Sequence, residues 1–239
     1  MWKNKKISVI LPTYNEKDSI CKVINDFFET GYVDEVIVVN NNAAKGTKEE
    51  VEKTKAIQIF EKKQGYGCAI QRGLKEAAGD ILVISEPDGT FFGSDIIKLL
   101  SYSDDFDVVF GTRTTSKMIL EGANMGFFLR FGNWMCAKLM EFLFVTKTLT
   151  DIGCTMRLLS KKAYEKIVHG FKISGSHFGP ELMCLVIINK INYIEIPINY
   201  APRVGKSSVT GNKLVAFFLG LKMIRLIITY RIKSLLGWF

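Results

Sequence analysis

Short apolar, β-branched runs recur along the first half of the chain: Ile7 to Leu11, Val36 to Val39, Ile57 to Phe60, Ile81 to Ile84 and Val108 to Phe110. Stretches with helical patterning separate them. Runs of this length suit buried strands, and their alternation with helices predicts an α/β fold, a doubly wound, mostly parallel sheet covered by helices on both faces. In such folds ligands sit beyond the carboxyl ends of the strands. Polar residues follow each run there: Thr13 to Glu16, Asn40 to Asn42, Lys62 to Gly65, Glu86 to Asp88 and Gly111 to Arg113. Five strand ends are therefore expected to converge on one crevice.

From Met118 to Thr148 the pattern is helical and unusually aromatic, with Phe127, Phe128, Phe131, Trp134, Phe142 and Phe144. A core helix is the expectation for most of those residues. A later strand, Ile191 to Tyr200, carries Pro197, which suits an edge or the end of pairing. From Leu214 onward, Leu214, Phe217, Phe218, Leu221, Ile224 and Ile228 recur at helical spacing, with Lys222, Arg225, Thr229 and Lys233 on another face. That is a basic amphipathic helix, able to lie among lipid headgroups or to pack on the domain or a second subunit. Its longest uncharged run, Leu214 to Leu221, falls far short of the ~20 residues needed to cross a bilayer. With no internal repeat or composition break, the expected organisation is one domain over 1–211 and a C-terminal helix over 212–239 that is not a separate domain.

Charge changes this picture more than composition does. The 239 residues are 48% hydrophobic and can bury a large core without staples. The five cysteines are scattered, odd in number and never in a C-x-x-C pair, so they are expected to be reduced thiols of a cytoplasmic protein. The apolar run behind the basic N-terminus is shorter than a signal peptide's. No acidic residue follows Glu195, while Arg203, Lys206, Lys213, Lys222, Arg225, Arg231 and Lys233 are all basic. Taking those seven from the 32 Lys and Arg leaves 25 against 24 Asp and Glu, so the body is nearly neutral and nearly all of the net charge of +8 belongs to the tail. A nucleic-acid groove would more often spread its charge over the body. A basic tail rich in Leu, Ile and Phe points to an anionic membrane surface or a phosphate-bearing acceptor, and away from nucleic acid.

The fourth run ends in Ser85-Glu86-Pro87-Asp88-Gly89-Thr90. Two carboxylates there suit Mg²⁺ or Mn²⁺ bridging a diphosphate, because Mg²⁺ takes one or two protein carboxylates and completes its shell with water and phosphate. Pro-Asp-Gly is also a common turn sequence. Two further motifs share the crevice: Pro12-Thr13-Tyr14-Asn15-Glu16 after the first run, and Gly65-Tyr66-Gly67-Cys68-Ala69 after the third. The glycines let backbone N–H groups at a helix start approach a ligand or a neighbouring backbone closely. A dinucleotide fingerprint is excluded, since G-x-G-x-x-G would follow the first strand with an acidic residue about 20 positions on.

Together these motifs resemble the family 2 glycosyltransferases of the GT-A fold, and among them the polyprenyl-phosphate glycosyltransferases of the dolichol-phosphate mannose synthase group. The resemblance runs from Ile7 to about Ser208. It rests on Pro12 to Glu16, Gly65-x-Gly67-x-Ala69, the Asp-x-Asp-like Glu86-Pro87-Asp88, Gly111-Thr112-Arg113, Asp151-x-Gly153-Cys154-x-x-Arg157 and Arg203-x-Gly205-Lys206-Ser207. It implies an inverting transfer of a sugar from GDP-mannose or a UDP-hexose to a dolichyl-type phosphate, on the cytoplasmic face of a membrane that the protein touches without spanning. Pro12, Tyr14, Glu16, Asn40, Gly65, Gly67 and Glu86 would bind the nucleotide-sugar, and Asp88 with Glu86 the metal. Asp88, Asp151, Arg113 and Arg203 would be catalytic. Where the family has Asp after the second strand, this chain has Asn40-Asn41-Asn42, an amide that both donates and accepts.

A hydroxyl acceptor needs a general base, whereas a phosphate monoester is already anionic and needs only cationic positioning. By the resemblance, Arg113, Arg130, Arg203 and Lys206 fall near the reacting phosphates, and Arg pairs well with phosphate. Each is also a candidate for a plain surface ion pair. For a saccharide hydroxyl, Asp151 or Glu181 would be the base. Glu181 also suits the positive end of a helix. His177 is a candidate third metal ligand or a structural residue. The rival readings are a transferase with a glycan or glycolipid hydroxyl acceptor, a non-catalytic nucleotide-binding membrane adaptor, and a nucleic-acid binder drawn to the tail.

Overall fold

The computed structural model describes residues 1–205, 207 and 211–238. Seven strands form one sheet: β1 (Ile7–Thr13), β2 (Glu35–Asn40), β3 (Ile57–Phe60), β4 (Ile81–Ile84), β5 (Val108–Thr112), β6 (Arg157–Ser160) and β7 (Tyr193–Pro197). Their spatial order is β3-β2-β1-β4-β6-β5-β7. The mostly parallel sheet read from the sequence is present with one exception: β6 runs antiparallel to both β4 and β5. That strand has only four residues, Arg-Leu-Leu-Ser, too short an apolar run to stand out by periodicity. Val108 of β5 pairs with Tyr193 and Thr112 with Pro197, so the proline ends the ladder at the sheet's edge, where its missing N–H costs nothing.

Every residue of β1 is buried, and its side chains alternate between two cores. Val9 and Leu11 join Val36, Val38, Val83 and Val109 under α1 (Lys17–Glu29), α2 (Thr47–Glu52) and α4 (Ile96–Ser101). Ile10 joins Ile37, Val39, Leu82 and Ile84 on the other face, under α3 (Tyr66–Glu76), α6 (Lys161–Ile167) and α7 (Phe178–Ile188). The period of two thus places helices on both faces. The chain leaves β1 toward β2 and β3, then returns to β4 on the other side of β1. This reversal opens a crevice at the carboxyl ends of β1 and β4, where Pro12–Glu16 and Glu86–Asp88 lie.

Of the two long helices, one departs from expectation in what it buries and the other docks by a stripe that the spacing does not mark. Within α5 (Phe127–Phe144) only Cys136, Ala137 and Met140 are buried. Phe127 is 77% exposed and Phe142 79%, and Phe128, Phe131 and Trp134 are also exposed, so most of this segment is not core. The small side chains at Cys136 and Ala137 let that face of the helix pack into the core, where Phe144 is partly buried, while Phe127, Phe128, Phe131, Trp134 and Phe142 stay exposed. In α8 (Lys213–Leu235) the docked stripe is Met223, Leu226, Ile227 and Tyr230. The face read from the sequence as apolar stays largely outside: Leu214, Phe217, Phe218, Leu221 and Ile228 are exposed. The helix therefore has two apolar stripes, one packed on α5 and α7 and one open. Among the described residues, no helix is long and apolar enough to cross a membrane.

Candidate active site

The crevice opens into a cavity of about 770 Å³. All five expected strand ends contribute to its wall, through Tyr14 after β1, Asn41 after β2, Gly65 after β3, Asp88 after β4 and Arg113 after β5. The cavity then extends between α5 and α8, where Phe128, Phe131, Phe217 and Leu221 line it. One end is polar and lies on the sheet; the other is apolar and lies between helices.

In the Pro12–Glu16 loop, Pro12 and Tyr14 face the cavity. Glu16 holds the loop in shape: its Oε2 accepts the backbone N–H groups of Tyr14 at 2.7 Å and Asn15 at 2.8 Å. Its Oε1 takes Arg203 Nη2 at 2.7 Å. Gly65 lines the cavity, but its φ of +147° and a close approach to the Ser174 carbonyl, 2.3 Å from where a Cβ would stand, show why glycine is required. Gly67 lies outside the cavity wall; its N–H donates to the same carbonyl at 2.8 Å. Of the two uses the sequence left open for these glycines, close approach of neighbouring backbone is the one the structure shows.

Asn40 also lies off the cavity wall, with its amide given to Gln58 and its Oδ1 accepting from Ala43 N–H. The cavity residue of this triplet is Asn41, whose side chain clamps the next loop by bonds to the Glu61 and Lys63 carbonyls and to Gly65 N–H. Arg130 is half-buried on α5 and is absent from the cavity lining. Lys206 lies outside the described residues.

Asp88 is 1% exposed. Its Oδ1 accepts from Thr90 N–H at 2.9 Å, while Oδ2 is buried without a hydrogen bond, 2.8 Å from Arg203 Nη1. Arg203 thus joins Glu16 to Asp88 across the crevice. A buried carboxylate whose Oδ2 already draws a cationic group is a fit site for a cation. Glu86 lines the same wall; burial first, and then the neighbouring Asp88, push its carboxyl up to about 8. Among the described residues no group of three His, Cys, Asp or Glu gathers to hold a metal. A metal here would take Asp88 and Glu86 and fill its shell from phosphate and water, and His177, at the start of α7, is not brought into such a group.

Opposite stands a saturated pair. Asp151 is fully buried, with Oδ2 accepting Arg113 Nε at 2.8 Å and Arg113 N–H at 3.0 Å. Its Oδ1 accepts Arg113 Nη2 at 2.9 Å and Gly153 N–H at 3.0 Å. Burial alone would raise this carboxyl, but the guanidinium outweighs it and holds Asp151 below the usual carboxylate range. Burial likewise works against the Arg113 charge, and Asp151 outweighs it, raising that pKa further. Arg113 also stacks on Tyr200, 5.1 Å from the ring centre. Asp151 is therefore equipped to aim Arg113 and poorly equipped to take a proton. Glu181 is spent as well, accepting from the Lys172 and Ile173 N–H groups and from the Tyr230 hydroxyl of α8.

Several site residues were not legible in the sequence. Glu195 of β7 accepts Thr150 N–H and Oγ1 at 2.7 Å each and Asp151 N–H at 3.1 Å, so it sets the loop that carries Asp151. Arg157, though inside a recognised motif, has a structural placement no spacing could show: its guanidinium donates to the Cys154, Gly179 and Ile152 carbonyls. Tyr66, Thr155 and Tyr200 complete the wall.

A family model described as Glycosyl transferase family 2 matches residues 8–168, about two-thirds of the chain. The low-salt glycan biosynthesis hexosyltransferase Agl6 of Haloferax volcanii is 26% identical over 208 residues, 85% of this chain; the chain spans 49% of that relative's length. The UDP-N-acetylglucosamine–dolichyl-phosphate N-acetylglucosaminyltransferase of Methanococcus voltae is 27% identical, over 92% of this chain and 97% of the relative. The dolichyl-phosphate β-glucosyltransferase of Saccharomyces cerevisiae is 23% identical, over 97% and 75%. In fold, the chain is similar to glucosyl-3-phosphoglycerate synthase of Mycobacterium tuberculosis, solved with Mn²⁺, UDP and phosphoglyceric acid. That match has a TM-score of 0.74 and 16% identity, covering 95% of this chain and 79% of that one. The same enzyme, solved with Mg²⁺ and UDP, matches with a TM-score of 0.70 and 16% identity, over 95% and 79%.

Proposed function

Because the chain belongs to glycosyl transferase family 2, we propose that it transfers a hexose, with inversion, from a nucleoside diphosphate carrier to a polyprenyl phosphate at a membrane surface. The observation that carries the acceptor is the saturated Arg113–Asp151 pair, whose arginine lines the cavity. A hydroxyl acceptor would need a base there, and the carboxylate at that point is bound by four N–H groups. A phosphate monoester needs no base. It needs cations, which Arg113 and Arg203 supply, and its lipid needs an apolar channel, which α5 and α8 supply.

In this reading Pro12, Tyr14 and Asn41 border the nucleotide, with Glu16 and Gly65 shaping the loops that hold it. Mg²⁺ or Mn²⁺, held by Asp88 and Glu86, would neutralise charge on the leaving diphosphate. Arg113, aimed by Asp151, steadies the acceptor phosphate while one of its oxygens attacks the anomeric carbon. The bond from that carbon to the diphosphate breaks on the opposite face, its electron pair leaves with the nucleoside diphosphate, and no proton has to move. Arg203 balances the charge of Glu16 and Asp88 before the ligand enters. The exposed aromatic residues of α5 and α8, with Lys222 and Arg225 exposed on α8, support peripheral attachment to the cytoplasmic face of a membrane.

The test is to incubate the chain with Mn²⁺ or Mg²⁺, a panel of UDP- and GDP-sugars, and a polyprenyl phosphate, and to extract with chloroform. A sugar-bearing lipid product is expected. Transfer to a soluble saccharide, with none to the lipid phosphate, would overturn the acceptor assignment.

A further inference from the structure

The cavity wall contains two hydroxyls that the fold leaves without a well-formed hydrogen bond. Tyr66 Oη, in the first turn of α3, and Thr155 Oγ1, just before β6, are both buried beside each other, and among the described residues neither makes a hydrogen bond of good geometry. A buried hydroxyl without such a bond costs roughly 1–3 kcal/mol, so two in one wall need an occupant to explain them. Both residues line the cavity. The backbone around them is held in place: Gly67 and Cys68 donate to the Ser174 carbonyl beneath Tyr66, and Arg157 gathers the Cys154, Ile152 and Gly179 carbonyls beside Thr155. Neither hydroxyl sits on a segment free to turn away.

Their neighbours limit what the occupant can be. The Tyr66 phenol feels Glu86, Arg157, Asp88 and Thr155. It therefore shares the cavity wall with the carboxylates proposed to hold the metal. An anionic group placed directly on these hydroxyls would face Glu86 and Asp88, whereas a neutral group that both donates and accepts would not be repelled. In a nucleotide-sugar the part that lies past the diphosphate and carries such groups is the sugar.

Resting on the reading above, we infer that Tyr66 and Thr155 form a subsite that takes hydroxyl or amide groups of the transferred hexose and so selects which nucleotide-sugar is used. A site that hydrogen-bonds a substrate hydroxyl rejects the analogue lacking it, because its own polar groups are then left unpaired.

The test is calorimetric binding of UDP, GDP and their glucose, N-acetylglucosamine, galactose and mannose conjugates, in the presence of Mn²⁺, to the wild-type chain and to Tyr66→Phe and Thr155→Val. Wild type is expected to bind one conjugate more tightly than the bare diphosphate. Each variant should lose about tenfold of that sugar-dependent gain, as befits one hydrogen bond to a buried group, with affinity for the bare diphosphate unchanged. Neither variant should lower Tm, since each removes a buried hydroxyl that has no bond to backbone or to a charged group in the free protein. A deoxy conjugate should reproduce the loss on wild type and show no further loss on the matching variant. Equal weakening of diphosphate and conjugate would overturn the inference by placing the hydroxyls on the nucleotide, and so would unchanged conjugate affinity in both variants. Failure of wild type to bind any conjugate would overturn the proposed function along with it.

Discussion

The two ends of the cavity are built on opposite principles. At the sheet end, polar side chains are buried, and most are tied to one another or to backbone: Glu16 to its own loop, Asn41 to the next, Asp151 to Arg113. At the helix end the wall is apolar, and Phe127, Phe131, Trp134, Phe217 and Phe218 carry their surface into solvent. The first end is organised before any ligand arrives, which suits a charged substrate that must be held at a fixed distance and angle. The second leaves apolar surface unsatisfied, which suits a partner that is itself apolar. Both ends belong to one cavity, and Arg113 is part of its wall.

The sharpest break of the sheet end is Asp88→Asn, which keeps an acceptor for Thr90 and removes the carboxylate charge. Turnover should fall by roughly 10²–10³-fold with Tm little changed, measured by initial rates and calorimetry. Asp151→Ala should do broader harm. It leaves Arg113 buried without its counter-ion, a loss on the order of 3–5 kcal/mol, visible as a lowered denaturant midpoint together with lost transfer.

At the helix end, each single replacement of Phe127, Phe128 or Phe131 with Ser should weaken binding to anionic vesicles by about tenfold or more, since one aromatic buried in the interface contributes on the order of 1.5–3 kcal/mol. Transfer to a long polyprenyl phosphate should fall with it, while transfer to a short, soluble isoprenyl phosphate holds. Equal loss on both acceptors would place these residues in folding and remove the contrast between the two ends.

The smallest effect concerns the link between them. Burial pushes the Glu195 carboxyl up to about 7 from an ordinary value of 4.5. Between those values the folded chain holds a proton that the unfolded chain has released, so stability falls as pH rises through that window. Glu195→Gln should flatten this fall, seen as a dependence of Tm on pH that shrinks by roughly a few degrees. If Glu195 acts through Asp151, the pH profile of transfer should change in the same window; a change in Tm alone would leave Glu195 a purely structural support.

The tally of what was legible follows the range of the interactions. The strands β1 to β5 and their polar ends could be read because side-chain period and strand length are local properties, and a buried run such as Ile7 to Leu11 has few other uses. Asp88, Arg113 and Asp151 could be named because their motifs are contiguous. That Asp151 is consumed by Arg113 is a matter of two loops 38 residues apart in sequence meeting in space, and no motif carries it. The same holds for Glu195, which reaches Thr150 across 45 residues.

By itself, then, the amino-acid sequence determined the α/β alternation, the five polar strand ends, the neutral body with its cationic tail, and the order of motifs that marks the family. Tertiary structure alone decided that β6 enters the sheet antiparallel, that most aromatic side chains of α5 stay exposed, and which polar atoms are satisfied. Hydrophobicity ranks a side chain's wish to be buried, but chain geometry limits how many faces of a helix can reach the core. In α5 only the stripe through Cys136, Ala137 and Met140 could reach it, and the greasier faces were left for another surface.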